Sequence, residues 1–233
     1  MKKLFYLFVG LTLLSSCATI QMSDLKPYPK NSSMLPALEP RVDMNSFESV
    51  YSMGYSTGTT TGYGTSITKN SALGIAINRS SMSKDPRVQD AITIFDRDVK
   101  DNITNPFGDK KGYILCKIAA GGTKTGGYGW AFLSGITLMI PNIFGMPMGF
   151  NKTSLDIEVE IYDLNEKLIG RYNAQCYDKT WIAAYHGYSG IGPDKSATPA
   201  ARISSIKAFK CAMNDIKSQI DKDYVRLNKE LNK

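Results

Sequence analysis

The sequence predicts an α+β fold, a mostly antiparallel sheet with two main helices packed on one face. Residues 153–163 alternate apolar and acidic side chains, which is typical of a strand with one buried face. Two other stretches, beginning at Pro86 and Pro199, repeat apolar residues at helical spacing. Helices that cover one face of a sheet are the simplest way to bury both kinds of apolar surface.

The two helices and the main hairpin follow from local signals. Asp85 and Pro86 suit the first positions of a helix that should end near Asn102–Asn105, before Pro106. After strand 153–163, the turn "LNEK" leads into a returning strand with Leu168, Tyr172, Ala174 and Cys176 on the core side. The last helix should run from about Pro199 to Leu231, with one apolar stripe and a solvated opposite side.

The remaining elements are read from shorter patterns. Residues 44–56 alternate aromatic and polar side chains, which predicts a strand, and 72–78 and 112–122 are further strand candidates. Residues 56–66 are rich in glycine and threonine and indicate a loop. The acidic row Asp156, Glu158 and Glu160 is interpreted as a solvated strand face balanced in part by Arg171, rather than as catalytic carboxylates.

Composition and charge indicate a globular protein that does not bind nucleic acid. The 233 residues are 42% hydrophobic and 21% charged, which is typical of a chain that buries a core. The net charge is +7, but the basic residues are scattered and form no stripe interleaved with aromatic residues. With one histidine in the chain and no metal-site spacing of cysteines, we expect neither a metal nor a cofactor.

The first residues carry the most specific signal. "MKKLFYLFVGLTLLSSC" has a basic start, an apolar stretch and small residues, the layout of a secretory signal peptide. Its end, Leu14-Ser15-Ser16-Cys17, resembles the lipobox of bacterial lipoproteins. The resemblance implies cleavage before Cys17, lipidation of its thiol and acylation of the new amino terminus, with the lipid bilayer as a partner. By the same resemblance, Ala18 in place of Asp favours the outer membrane, and the lack of an acidic run after Cys17 favours a protein that faces the periplasm.

These features divide the chain into three parts. Residues 1–16 form the lipoprotein signal peptide, residues 17–40 a lipidated N-terminus with a Pro-rich tether, and residues 41–233 a single α+β domain. Fully stretched, the tether would reach about 75 Å from the membrane. Its apolar residues leave open that the segment packs along the domain instead.

An apolar, Gly/Pro-rich insertion at 125–151 contains no Lys, Arg, Asp, Glu or His. Interrupting glycines and prolines argue against a membrane-spanning helix. The segment is either buried in the domain, or exposed as an interaction patch, or inserted in the bilayer. Its candidate patch residues are Trp130, Phe132, Met139, Ile143 and Phe144.

Export permits disulfides, and three cysteines remain after Cys17. Cys116 and Cys176 fall on the predicted core faces of strands, so they are the candidate pair if a disulfide forms, although the sequence favours buried free thiols. Cys211 falls on the polar side of the last helix.

The sequence contains no strong catalytic motif. "HGYSGIG" (186–192) contains the only histidine of the chain and a serine, so a hydrolase would use His186 and Ser189. A nucleophile elbow, however, has glycine two residues after the serine, and this position is Ile191. The loop 181–199 is rich in aromatic residues and is a candidate binding loop through Trp181, Tyr185, His186 and Tyr188.

The expected function is therefore non-enzymatic: a membrane-anchored envelope lipoprotein that acts as a binding or assembly factor, with an envelope protein complex or self-association as its partner. The alternative is an oligomeric pore or secretion-associated lipoprotein that uses residues 125–151. A hydrolase is the third interpretation.

Overall fold

The computed structural model describes residues 20–29, 34–53, 75–76, 85–127, 149–182 and 199–233, together with Gly129, Phe132, Ile136 and Pro147. Within these residues the helices are α1 (Met44–Met53), α2 (Pro86–Asp98), α3 (Pro199–Lys222) and α4 (Tyr224–Leu231). A π-helical turn, Val99–Ile103, continues α2. The strands are β1 (Glu39–Val42), β2 (Ile75–Ala76), β3 (Gly112–Gly126), β4 (Gly149–Asp163) and β5 (Leu168–Ile182).

The α+β class is confirmed, but the sheet is mixed. Its order is β2-β1-β3-β4-β5 among the described strands. The three long strands form an antiparallel meander, whereas β1 runs parallel to β3. The helices also differ from the predicted pair on one face: α3 packs on β4 and β5, α1 packs on β3, and α2 packs mainly against α3.

One buried cluster holds these layers together. Leu155, Ile157, Val159 and Ile161 of β4 are fully buried, and so are Phe209, Met213 and Ile216 of α3. The last helix carries the predicted apolar stripe, although it is divided at Asp223, where Arg226 binds the carboxylate. Asp85 caps α2 as predicted, because its side chain accepts a hydrogen bond from the Arg87 amide.

Two local predictions are wrong. Residues 44–53 form helix α1 rather than a strand, because Asp43 accepts hydrogen bonds from the amides of Asn45 and Ser46 at its start. In β5, Leu168 is 41% exposed. A register shift opposite Ile161 and Tyr162 moves Leu168 off the core side, and buried Ile169 supplies the apolar side chain.

The Pro-rich N-terminal stretch is not an extended tether where the structure describes it. Leu25 and Leu35 are buried, and Leu35 exchanges backbone hydrogen bonds with Ile103 and Asn105. Lys217 of α3 donates a hydrogen bond to the Tyr28 carbonyl at 2.7 Å. Residues 20–29, hereafter the N-terminal segment, and residues 34–40 therefore pack along the domain, and β1 begins before the predicted boundary at 41.

The predicted insertion is also shorter than 125–151 at both ends. Thr125 and Gly126 complete β3, and residues 149–151 begin β4, so they pair with each other in the sheet. No helix among the described residues combines the length and apolar character that a bilayer crossing requires.

Candidate functional site

The sheet has an outer face, turned away from the hydrophobic core, that carries most of its charged side chains. In β4 this face consists of the even-numbered residues, from Phe150 to Tyr162, because successive side chains of a strand alternate between faces. The antiparallel register places partners from β3 and β5 beside each of them. Two groups on this face differ in chemistry and lie at opposite ends of the strands.

The first group is centred on Glu160, whose side chain is fully buried. Its carboxylate accepts hydrogen bonds from Lys117 Nζ at 2.5 Å, from Tyr162 Oη at 2.9 Å and from Arg171 Nε at 2.9 Å. Burial by itself opposes ionisation, but these three donors outweigh it and lower the pKa of Glu160. The group is consequently a closed ionic network.

This network changes the interpretation of the acidic row. Arg171 balances the row as predicted, since it also lies 3.3 Å from Glu158. Glu160, however, is buried rather than solvated. Burial, together with the neighbouring Glu160, raises the pKa of Glu158. Each donor around Glu160 is engaged with its carboxylate, so we assign the network a structural role.

The second group lies at the distal end of the sheet, where β3 ends, β4 begins and β5 ends. Lys124, Lys152 and Lys179 stand directly opposite one another on the three strands. All three side chains are exposed. Like charges placed directly opposite each other in a sheet are destabilising, so this row carries an energetic cost.

Aromatic side chains flank the lysine row on both sides. In the neighbouring rows of the outer face, Phe150 pairs with Trp181 on one side and Ser154 pairs with Tyr177 on the other. Lys179 Nζ lies 4.0 Å from the Phe150 ring centre and 3.9 Å from the Trp181 ring centre. Lys152 Nζ lies 4.5 Å from the Tyr177 ring centre. These six residues form what we call the distal platform: Lys124, Lys152, Lys179, Phe150, Tyr177 and Trp181.

Glycine makes room for the platform. The Phe150 ring lies against Gly126, where an added Cβ atom would sit 2.7 Å from a ring carbon. Phe150 and Trp181 then meet edge to face, with ring centres 5.6 Å apart, a favourable geometry for aromatic pairs. Trp181 remains 46% exposed and Tyr177 68% exposed.

The structure brings few of the predicted site residues together. Trp181 belongs to β5 rather than to a loop and joins the distal platform. Phe132, one of the five candidate patch residues, is 73% exposed, and Ile136, four residues later, is 66% exposed. The other predicted residues lie outside the described part of the chain: Cys17, Trp130, Met139, Ile143, Phe144, Tyr185, His186, Tyr188 and Ser189.

The predicted disulfide pair is wrong. Cys176 is bonded to Cys211, with Cα atoms 5.9 Å apart, and Cys116 is a buried free thiol. Burial raises the pKa of the Cys116 thiol, which disfavours the reactive thiolate. Within the described residues, one group could supply three metal-type ligands, Cys176, Cys211 and Asp215, but its two sulfur atoms are joined to each other.

A cleft beside β1 is lined by residues from 37–40, from the end of α2 and from 104–110. Its charged groups include two ion pairs, Lys110 with Glu39 at 3.0 Å and Lys100 with Asp96 at 2.8 Å. Pairing of these charges within the cleft lowers their value for binding a charged ligand.

The distal platform was missed in the sequence because its residues come from three strands. A signal exists nonetheless: "FNK" at 150–152 and "YDKTW" at 177–181 alternate aromatic and lysine residues with a period of two. The sequence does not show that these residues form adjacent rows, because that follows from the pairing register of β3, β4 and β5. No known protein-family model matches this chain, and no curated protein matches it significantly in sequence.

Proposed function

We propose that this protein is a non-enzymatic lipoprotein of the bacterial envelope, anchored by acyl chains on Cys17 and acting as a binding or assembly factor. The lipobox-like stretch Leu14-Ser15-Ser16-Cys17 carries the proposal. Each buried methylene contributes about 0.8 kcal/mol, so several acyl chains make a stable anchor. By the same resemblance, Ala18 favours the outer membrane, and the lack of an acidic run after Cys17 favours a periplasm-facing domain.

The packing of the N-terminal segment supports a short connection to the membrane. Ile20 packs against the core cluster, and Leu25 belongs to it. From Cys17 to Ile20 the chain can extend only about 10 Å. An acylated Cys17 would therefore hold the domain close to the lipid surface, which suits a protein that works on partners at that surface.

Metabolic labelling with palmitate tests the anchor. The unchanged protein should incorporate label and fractionate with membranes, and the mature form should begin at Cys17. The Cys17→Ala variant should lose the label, because it lacks the thiol that accepts the lipid. Equal labelling of the two proteins would refute the anchor.

Self-association is a second candidate, favoured by the exposure of Phe132 and Ile136. They lie in the segment that joins β3 to β4, the segment on which a pore or secretion role would depend. Size measurement in mild detergent separates the two functions. A stable ring would support the oligomeric alternative, and a monomer would support the adaptor.

A further inference from the structure

We propose that the distal platform is a membrane-contact surface that binds the headgroups of anionic phospholipids and so orients the domain on the bilayer. The inference rests on the proposed function, because it assumes that the protein works at a membrane. It goes further in naming the part of the fold that meets the lipid, and the lipid charge that this part selects.

Charge is the first argument. The three outer-face rows at the distal end contain three lysines and no acidic residue: Gly126–Phe150–Trp181, Lys124–Lys152–Lys179 and Gly122–Ser154–Tyr177. The nearest acidic residue on this face is Asp156, one row further along. An anionic surface would relieve the repulsion within the lysine row, whereas a neutral surface would not.

Aromatic placement is the second argument. Trp and Tyr concentrate at the level of lipid headgroups, where one part of the ring is apolar and another is hydrated. Trp181 and Tyr177 are both exposed beside the lysines. Strands are spaced about 4.8 Å apart, so the lysine row spans about 10 Å and presents a surface rather than a pocket.

The same geometry disfavours single-stranded nucleic acid, which binds by stacking bases on open aromatic faces. Lys179 covers one face of Phe150 and one face of Trp181. Lys152 does the same for Tyr177. The lysines thus occupy ring faces that bases would need.

The path of the N-terminal segment is the third argument. Helix α3 begins beside the distal half of β4, where Ser204 and Thr153 hydroxyls are 2.7 Å apart. Tyr28 contacts both Lys217, through its carbonyl, and Lys210, through its ring, and Asp24 contacts Lys210 through its carbonyl. The segment therefore runs along α3 towards the end of that helix that lies beside the distal half of β4.

Vesicle binding tests the proposal. The mature chain from residue 17 onward, carrying Cys17→Ala, lacks both the signal peptide and the acyl anchor. It is compared with the same chain carrying Lys124→Glu, Lys152→Glu and Lys179→Glu. A matched control carries Lys207→Glu, Lys222→Glu and Lys229→Glu, which reverse three exposed helix lysines. Binding is measured on phosphatidylglycerol-containing vesicles and on phosphatidylcholine vesicles, with circular dichroism to confirm folding.

We expect the platform variant to lose at least about tenfold in affinity for the anionic vesicles, and the control variant to lose less than about threefold. Binding to phosphatidylcholine should be the same for all three proteins. Equal losses in the two triple variants, or none in the platform variant, would overturn the proposal, as would platform-dependent binding of single-stranded DNA without platform-dependent vesicle binding. Palmitate labelling of the unchanged protein tests the acyl anchor separately. Failure of the proposed anchor can therefore be distinguished from failure of the proposed lipid-binding platform.

Discussion

Glu160 shows how a charged residue is accommodated at a buried position. Alternation along β4 predicts that this side chain belongs to the outer face, but it cannot predict that its neighbours close over it. Three donors from β3, β4 and β5 bind the carboxylate. The cost of burying the charge is offset only because all three donors are in place.

We expect Glu160→Gln to lower the free energy of unfolding by about 2 kcal/mol at about pH 7, the usual value for hydrogen bonds to a charged group. Because the folded-state pKa lies below the unfolded-state value of about 4.3, the stabilisation is complete above that pH. It is lost as the pH falls through the folded-state pKa. Urea unfolding at neutral and acidic pH should therefore show that acid lowers the free energy of unfolding less in the variant than in the unchanged protein.

Asp156→Asn is the matched control, since Asp156 occupies the same face of β4 but does not contact Glu160 through any described hydrogen bond. Its effect should stay within about 0.5 kcal/mol. An unchanged acid dependence in Glu160→Gln would contradict the role given to the network.

Lys217 is a second buried charge. Its ammonium lies 2.8 Å from Asp98 and 2.7 Å from the Tyr28 carbonyl, and both charged side chains are 1% exposed. The residue joins α3 to α2 and to the N-terminal segment. In the sequence it resembles the other lysines of the last helix, so its burial could not be predicted.

Lys217→Ala should destabilise the fold by about 3 to 5 kcal/mol, because it removes the ammonium group that binds the buried Asp98 carboxylate. The same variant should expose the N-terminal segment to proteolysis near Lys26. Thermal unfolding and limited trypsin digestion measure the two effects. Lys222 is exposed, so Lys222→Ala is the control and should change neither the thermal stability nor the trypsin sensitivity. A similar result for both variants would refute the role of Lys217 in holding the N-terminal segment on α3.

Among the elements, the long strands and the helices at Pro86 and Pro199 were predictable because their patterns are long. Helix α1 was not, because Phe47 and Tyr51 lie four residues apart, which fits one face of a strand and one face of a helix equally. Asp43 decides between them by capping the helix. The register shift at Leu168 could not be predicted either, because no sequence pattern marks the irregular pairing of β4 with β5.

The disulfide joins α3 to β5, and the sequence alone does not reveal that these two elements are in contact. Cys211 lies at the border of the apolar stripe of α3, and β5 passes beside it through Cys176. In the entropic model, closing a loop with a separation of 35 residues contributes about 4 kcal/mol to stability.

Reduction or Cys211→Ala should therefore lower the urea midpoint, with an estimated loss of about 3 to 4 kcal/mol. Thiol labelling in denaturant, on the chain carrying Cys17→Ala, should find only Cys116 reactive before reduction. Labelling of all three thiols without reductant would show that the bond is absent.

At the scale of the whole molecule, the sequence predicts the anchor and the fold class, whereas the interaction surface depends on register. Lys124, Lys152 and Lys179 are separated by 27 residues or more in sequence and meet only because β3, β4 and β5 pair as they do. The docked N-terminal segment also follows from tertiary contacts, since its prolines fit both an extended and a packed chain.

The central claim is that a short lipid anchor and the distal platform hold this end of the sheet against the bilayer. Fluorescence of Trp181 in the acylated protein tests it directly, with Trp130→Phe leaving one tryptophan in the chain. In vesicles that contain phosphatidylglycerol and brominated lipids, we expect marked quenching relative to ordinary lipids. Quenching should fall when the three platform lysines are replaced by Glu. Equal Trp181 emission in brominated and ordinary lipids would contradict the account.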